Sequence, residues 1–145
     1  QYLDLVHFNK IIPVVNQIKV TLRCQRKQML EVMNEKGTVL QGYQVFGKEE
    51  TLPIYEDDKV KSIALKYNKT TRLIAMKYLV QKGISVITRP MQRQWMKDNL
   101  NLFDFELNEE EMKQISSLDM GYSGSRAKHF DVEFVEMCLA KKIHD

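Results

Sequence analysis

The stretch "KTTRLIAMKYLVQKGISVIT", Lys69 to Thr88, decides the fold. Its first part has a Thr near the start and Gly83 just past the end, the residue types that open and close a helix, with Leu73, Ile74, Met76, Tyr78 and Leu79 as buried candidates. Its second part, "ISVIT", is a continuous apolar run of the kind that a parallel sheet buries on both faces. A helix that feeds straight into such a strand is half of a βαβ unit. Two more strand-like runs, Val14 to Val20 and Thr38 to Tyr43, precede it with helical segments between them and no hairpin signal. Strands separated by helices argue for a parallel α/β sheet.

Working outward, the other segments fit that alternation. "QYLDLVHFN" carries Tyr2, Leu5, Val6 and Phe8 at near-helical spacing until Pro13 stops it. "QRKQMLEVMNEKG" places Met29, Leu30 and Met33 on one face and ends at Gly37; "DDKVKSIALKYN" puts Val60, Ile63, Ala64 and Tyr67 on one stripe behind first-turn acids. In "LNEEEMKQISSLD", Asn108 followed three residues later by Glu111 is a capping-box pattern, with Met112, Ile115 and Leu118 at core intervals. Gln44 to Glu56 reads as a long loop, and "DVEFVEMCLAKKI" as a short terminal helix.

Composition narrows the function classes. The 145 residues suffice for one domain, expected to span 1–145, and 22 basic against 19 acidic side chains are spread along the chain rather than blocked. No nucleic-acid partner is implied, because Arg23, Arg26, Lys27, Lys66, Lys69 and Arg72 have acids nearby and fit solvated helix faces. No apolar run approaches the ~18 residues of a membrane helix, and Cys24 and Cys138 lack metal-ligand spacing, so we expect reduced thiols and a cytoplasmic protein with no membrane or metal partner. His7, His129 and His144 are scattered, which favours surface or packing roles. The first residue is Gln, not Met, so the numbering is expected to start inside a longer chain or after processing.

Several segments together resemble the C-terminal part of an aldo-keto reductase: "PVVNQIKV", "GYQVFG", "IALKYNKTTRLIAMKYLVQKGISVIT" and "NLNLFDFELNEEEMKQISSLD", in the family's order and near its spacing. The resemblance implies a partial (β/α)8 TIM barrel, about three parallel strands with flanking helices, equivalent to the sixth, seventh and eighth strands. A complete barrel takes roughly 250 residues and carries its chemistry at the strands' C-terminal ends. The family reduces carbonyls with NADPH through a Tyr, Lys, Asp and His on N-terminal strands that these residues do not match. No catalytic residue is assigned here, and no catalytic role is expected of Tyr43.

The cofactor half is better matched. The resemblance gives Gln17 as the amide that holds the nicotinamide carboxamide and Tyr43 as the ring that stacks on it. Gln44 stands where the family's "YSPL" has a small hydroxyl for the pyrophosphate. Lys19 and Thr21-Leu22 replace an acid and a His-Pro pair, so the end of the first strand here is rebuilt. Against the family's "IPKS…R…EN", this chain has Thr88-Arg89-Pro90, then Trp95 in place of the Arg that faces the adenine and its 2′-phosphate. Asp98 and Asn99 remain where an acid and an Asn hold the adenine edge.

These departures carry consequences. Arg89 keeps a cation near the phosphate, whereas Pro90 removes a hydroxyl and a backbone donor. Losing one or two charge-assisted hydrogen bonds would weaken NADPH by about ten- to several-thousand-fold. Trp95 could return about 1–3 kcal/mol by stacking on adenine, which does not recognise a 2′-phosphate. Weakened preference for NADP(H), with NAD(H) admitted, is the expectation; in the other reading Trp95 packs inward as core.

The implied function is the C-terminal cofactor-binding portion of an NADP(H)-dependent carbonyl oxidoreductase, catalytically incomplete as this chain. Its partners would be the nicotinamide cofactor and, if an N-terminal half completes it, a carbonyl substrate. The alternative is a non-catalytic half-barrel relic that acts as a structural or binding protein. Three strands alone would leave barrel-interior positions and both sheet edges uncovered, so self-association or a partner chain is expected.

Overall fold

The computed structural model describes residues 2–47 and 53–121. Cys138, His129, His144, the terminal helix, the tail beyond Tyr122 and the middle of the 44–56 loop lie outside the described residues. In chain order the elements are α1 (Tyr2–Phe8), β1 (Val15–Lys19), α2 (Lys27–Glu35), β2 (Val39–Tyr43), α3 (Asp58–Tyr67), α4 (Thr71–Gln81), β3 (Ser85–Val86), α5 (Arg93–Leu100) and α6 (Glu109–Ser116), with 3₁₀ turns at Ile54–Glu56 and Asn101–Phe103. The sheet order is β1-β2-β3, and both pairings are parallel. Among the described residues, no helix is long and apolar enough to cross a membrane.

Local chemistry sets the ends of these elements. Thr70 accepts a hydrogen bond from the Leu73 backbone N–H at the start of α4, and Gly83 takes the left-handed φ of +79° that follows it. Asp57 caps α3 by accepting from the N–H groups of Lys59 and Val60. At α6 the capping box is complete: Asn108 accepts from the Glu111 N–H, and the Glu111 carboxylate accepts from the Asn108 N–H. Burial alone would raise the Glu111 carboxyl; hydrogen bonds from Lys66 and Tyr67, with the Asn108 backbone, outweigh it and hold the group below its usual value.

Side chains alternate across the strands, and the sheet has two unlike faces. On the outer face Val20, Leu40 and Ile84 join one core with Leu30 and Met33 of α2, Ile63 of α3, Ile74, Tyr78 and Leu79 of α4 and Ile115 of α6. Gly42 sits where side chains from the neighbouring strands crowd over it: a Cβ there would lie 3.3 Å from that of Val20 and 3.5 Å from Cγ2 of Ile84. Gln25 ties three pieces of this side together. Its amide donates to the carbonyls of Leu22 (2.8 Å) and Ile115 (3.0 Å), and its oxygen accepts from the buried Tyr78 hydroxyl (2.7 Å). Burial pushes the Tyr78 phenol above its ordinary value.

On the inner face Val15, Val39, Tyr43 and Ile87 are between 38% and 48% exposed. Between them the Gln17 amide donates to Gln41 (2.9 Å) and the Gln41 amide to Ser85 (3.4 Å), so a side-chain rung crosses all three strands at residues that are backbone partners.

Two expectations need correction. The last strand is Ser85–Val86, not Ile84 to Thr88: it pairs on one side only, with Gln41 and Gly42, and past Ile87 the chain turns off toward Pro90. The 44–56 segment is not all loop, because Ile54–Glu56 forms a 3₁₀ turn and Ile54 is buried in the core. Of Arg23, Arg26, Lys27, Lys66, Lys69 and Arg72, four pair with acids: Arg23 with Asp57, Lys27 with Asp119, Lys66 with Glu111 and Lys69 with Asp104. Cys24 is buried, and His7 packs edge-on against Phe8 on the exposed α1.

Candidate functional site

The parallel strands all end toward one side, and the segments that leave them build a cavity of about 360 Å³ there. Phe46 comes from the turn after β2, Thr70, Thr71, Arg72 and Leu73 from the start of α4, Thr88, Arg89 and Pro90 from the exit of β3, and Trp95, Asp98 and Asn99 from α5. Two of these lining residues, Leu73 and Phe46, belong to a small apolar cluster with Met76 and Leu102. The volume lies at the lower end of small-molecule sites, which suits one end of a dinucleotide better than the whole.

The cavity gathers Arg89, Trp95, Asp98 and Asn99 from the sequence candidates. Asn99 donates its amide to Thr88 Oγ1 (3.2 Å), which ties α5 back to the strand exit, and the Asp98 carboxylate accepts from Gln94 (2.8 Å) one turn earlier. Trp95 is not inward core. It is 37% exposed, and α5 has no buried residue.

The remaining candidates lie apart from the cavity. Gln17 is on the inner sheet face, bonded to Gln41, and Tyr43 is half-exposed at the end of β2, paired with Lys19. Gln44 adopts a left-handed φ of +52° and its carbonyl accepts from the Gly47 N–H. That turn swings the chain from Tyr43 on the sheet to Phe46 on the cavity wall, so the two halves of the candidate site are joined by three residues of backbone.

Arg72 and Phe46 are absent from the sequence-based cofactor candidates, and both line the cavity. The Arg72 guanidinium lies over the rings of Trp95 (5.2 Å to the centroid) and Phe46 (5.5 Å). In the sequence Arg72 reads as one more solvated cation on a helix face, and only its first-turn position beside Thr70 and Thr71 hints otherwise. The groups whose protonation is displaced, among them Glu111, Tyr67 and Tyr78, belong to the packing of α3, α4 and α6 and not to the cavity.

The match to known proteins follows the same geometry. The sequence model of the Aldo/keto reductase family covers residues 3–120. The chain belongs to that family. Among relatives, the (1S)-1,7-diacetoxy-luvungin A aldo-keto reductase of Citrus sinensis is 33% identical over 83% of this chain and 39% of its own length. An NADPH-dependent D-xylose reductase of the yeast Meyerozyma guilliermondii is 30% identical over 81% of this chain and 40% of its own. Of the solved structures, a Bombyx mori aldo-keto reductase in complex with NADP superposes with a TM-score of 0.80 at 26% identity, covering 90% of this chain and 45% of that one. This aldo-keto reductase chain therefore spans about two fifths of the length of the curated relatives it matches. The partial-barrel reading and the order of its three strands stand.

Proposed function

We propose that this chain is the cofactor-binding portion of an NADP(H)-dependent carbonyl oxidoreductase, and that the groups that protonate the carbonyl come from residues outside the 145. The observation that carries the reading is the cavity at the strand ends. There a stacking ring (Trp95), a base-reading pair (Asp98 and Asn99), hydroxyls (Thr70, Thr71, Thr88) and a forked cation (Arg89) face one space. These donors suit an adenosine phosphate: the aromatic face takes a base, a carboxylate accepts from an exocyclic amine, and a guanidinium forks onto phosphate oxygens.

Gln17 and Tyr43 would hold the nicotinamide end, Gln17 through the part of its amide that Gln41 does not use and Tyr43 through its half-exposed ring. When bound, the cofactor supplies the hydride for carbonyl reduction. This chain's own residues anchor and orient it, and we assign none of them a proton-transfer role.

Titration with NADPH, followed by the emission of Trp95, the single tryptophan, tests this directly. A saturable change is expected, with a matching heat by calorimetry. No heat and no change would sink the reading. The second reading, a half-barrel that binds without taking part in turnover, draws on the replacement of a backbone donor at Pro90. Joining this chain to the N-terminal strands of a relative separates the two: carbonyl reduction that falls in a Tyr43→Ala variant, which removes the stacking ring, favours the enzyme, and binding with no turnover favours the relic.

The open inner face supports a further part of the proposal. Purified alone, the chain is expected to self-associate through that face, which size exclusion with light scattering would register. A monodisperse monomer would count against it.

A further inference from the structure

The polar side chains of the inner sheet face form a ladder with a sense. Gln17 Nε2 donates to Gln41 Oε1 (2.9 Å), and Gln41 Nε2 donates to Ser85 Oγ (3.4 Å). All three sit at one level of the sheet, because Gln41 is the backbone partner of both Gln17 and Ser85. Gln41 uses both ends of its amide within the ladder, whereas Gln17 uses only its nitrogen. Gln17 is exposed, and its Oε1 accepts from no group among the described residues. An amide carries its oxygen and nitrogen on one planar carbon, so holding the nitrogen toward β2 turns the oxygen away from β2.

Tyr43 stands two residues beyond Gln41 on β2, so it shares the face and lies about 7 Å further along. Its ring is half-exposed. A flat heteroaromatic ring laid on Tyr43 can bring a substituent to the level of the ladder, where Gln17 carries the acceptor that the ladder leaves open. With the opposite sense, Gln41 donating to Gln17, the same position would present an N–H group and suit a carbonyl instead. Gln41 decides between the two: a group that accepts from the Gln17 nitrogen keeps the Gln17 oxygen outward.

We propose that Gln41 is a positioning residue: by accepting from Gln17 Nε2 it fixes the Gln17 amide with its oxygen outward, and so makes the nicotinamide end selective for a ring substituent that donates an N–H, a primary carboxamide. The inference rests on the nicotinamide-end reading above and deepens it. Gln41 itself touches no ligand atom and acts through Gln17. The bond to Ser85 supports this sense, since an amide that donates at its nitrogen accepts more strongly at its oxygen.

The test compares NADP+ with its 3-acetylpyridine analogue, in which a methyl group replaces the carboxamide NH2 and the carbonyl stays. Both are titrated through the emission of Trp95 into the full chain, at a dilution where light scattering shows a monomer, and into Gln41→Met and Gln41→Glu variants whose fold circular dichroism verifies. The wild type should bind NADP+ about three- to tenfold more tightly than the analogue, the range of one neutral hydrogen bond. Gln41→Met removes the acceptor and lets Gln17 turn either end outward, so the ratio should fall to within about 1.5-fold of one. Gln41→Glu can only accept, so Gln17 still donates to it and the wild-type ratio should return, the added charge acting alike on both ligands. Three results overturn the inference alone: a ratio that survives in Gln41→Met, with or without a shared loss of affinity, a ratio lost in Gln41→Glu, or wild-type binding that ignores or prefers the methyl ketone. Failure of the wild type to bind NADP+ at all overturns the dinucleotide reading with it.

Discussion

The two faces of the three-stranded sheet share one backbone and differ in almost everything else. On the outer face Val20 and Leu40 are fully buried under α2, α3, α4 and α6; on the inner face their neighbours Val39 and Tyr43 are open to about two fifths of their surface. The outer face is where this chain folds. The inner face bears the nicotinamide-end candidates Gln17 and Tyr43 and is apolar enough to require a cover that the described residues do not provide. Stability and function have been assigned to opposite sides of the same strands, so substitutions on each should report on different properties.

The sharpest test of that division uses adjacent residues. Leu40→Ala should cost about 2–5 kcal/mol, the range of a truncated core side chain, while Val39→Ala should stay near about 0.5 kcal/mol. Urea unfolding of both variants, at a dilution where the chain is monomeric, measures the gap, and equal losses there would mean that the inner face is packed within the monomer. Next in size is Tyr78→Phe, which leaves the buried Gln25 oxygen without its donor and should cost about 1–3 kcal/mol. Binding of 5′-ADP should not change, since Tyr78 lies on the covered side.

The smallest effect is the pH dependence set by Glu111. Its carboxyl is held below its usual value in the folded chain, so below the unfolded value near about 4.3 the unfolded state binds more protons. Stability from this group is therefore fully present above that pH and is lost as pH falls through the folded value. Glu111→Gln should flatten the stability profile in that acid window and leave the profile above pH 5 parallel to the wild type. An unchanged acid slope would place the Lys66, Tyr67 and Asn108 contacts outside the energetics of α6.

What was legible in the sequence follows from the range of each interaction. The α6 capping box lies within four residues, and Asn108 and Glu111 announce it on their own. The bounds of α4 follow from Thr70 and Gly83, whereas its buried residues run without a break from Leu73 to Leu79, so no period marks them. Asp98 and Asn99 were readable by resemblance, and the cavity does gather them. The place of Arg72 on the cavity wall was not, because its partner rings are 23 and 26 residues away and a cation over a ring leaves no spacing in the chain. Gln25 was equally silent: within "QRKQ" it is one polar residue among four, and only the meeting of Leu22, Ile115 and Tyr78 around it gives it a task. The length of β3 depends on where the chain leaves the sheet after Ile87, whose N–H donates to the Gly42 carbonyl, and no local pattern records that point.

The Gln17–Gln41–Ser85 rung has one more consequence, for the search by which the strands find each other. A slip of one residue is self-correcting, because it turns Leu40 and Val20 out of the core. A slip of two keeps every apolar side chain on its proper face, and hydrophobic burial cannot tell it from the native pairing. It would, however, set Gln41 against Val15 or Lys19, neither of which carries the amide that donates to it in the native rung. The rung thus proofreads the alignment that alternation leaves ambiguous, and it does so with residues that cover no core surface at all.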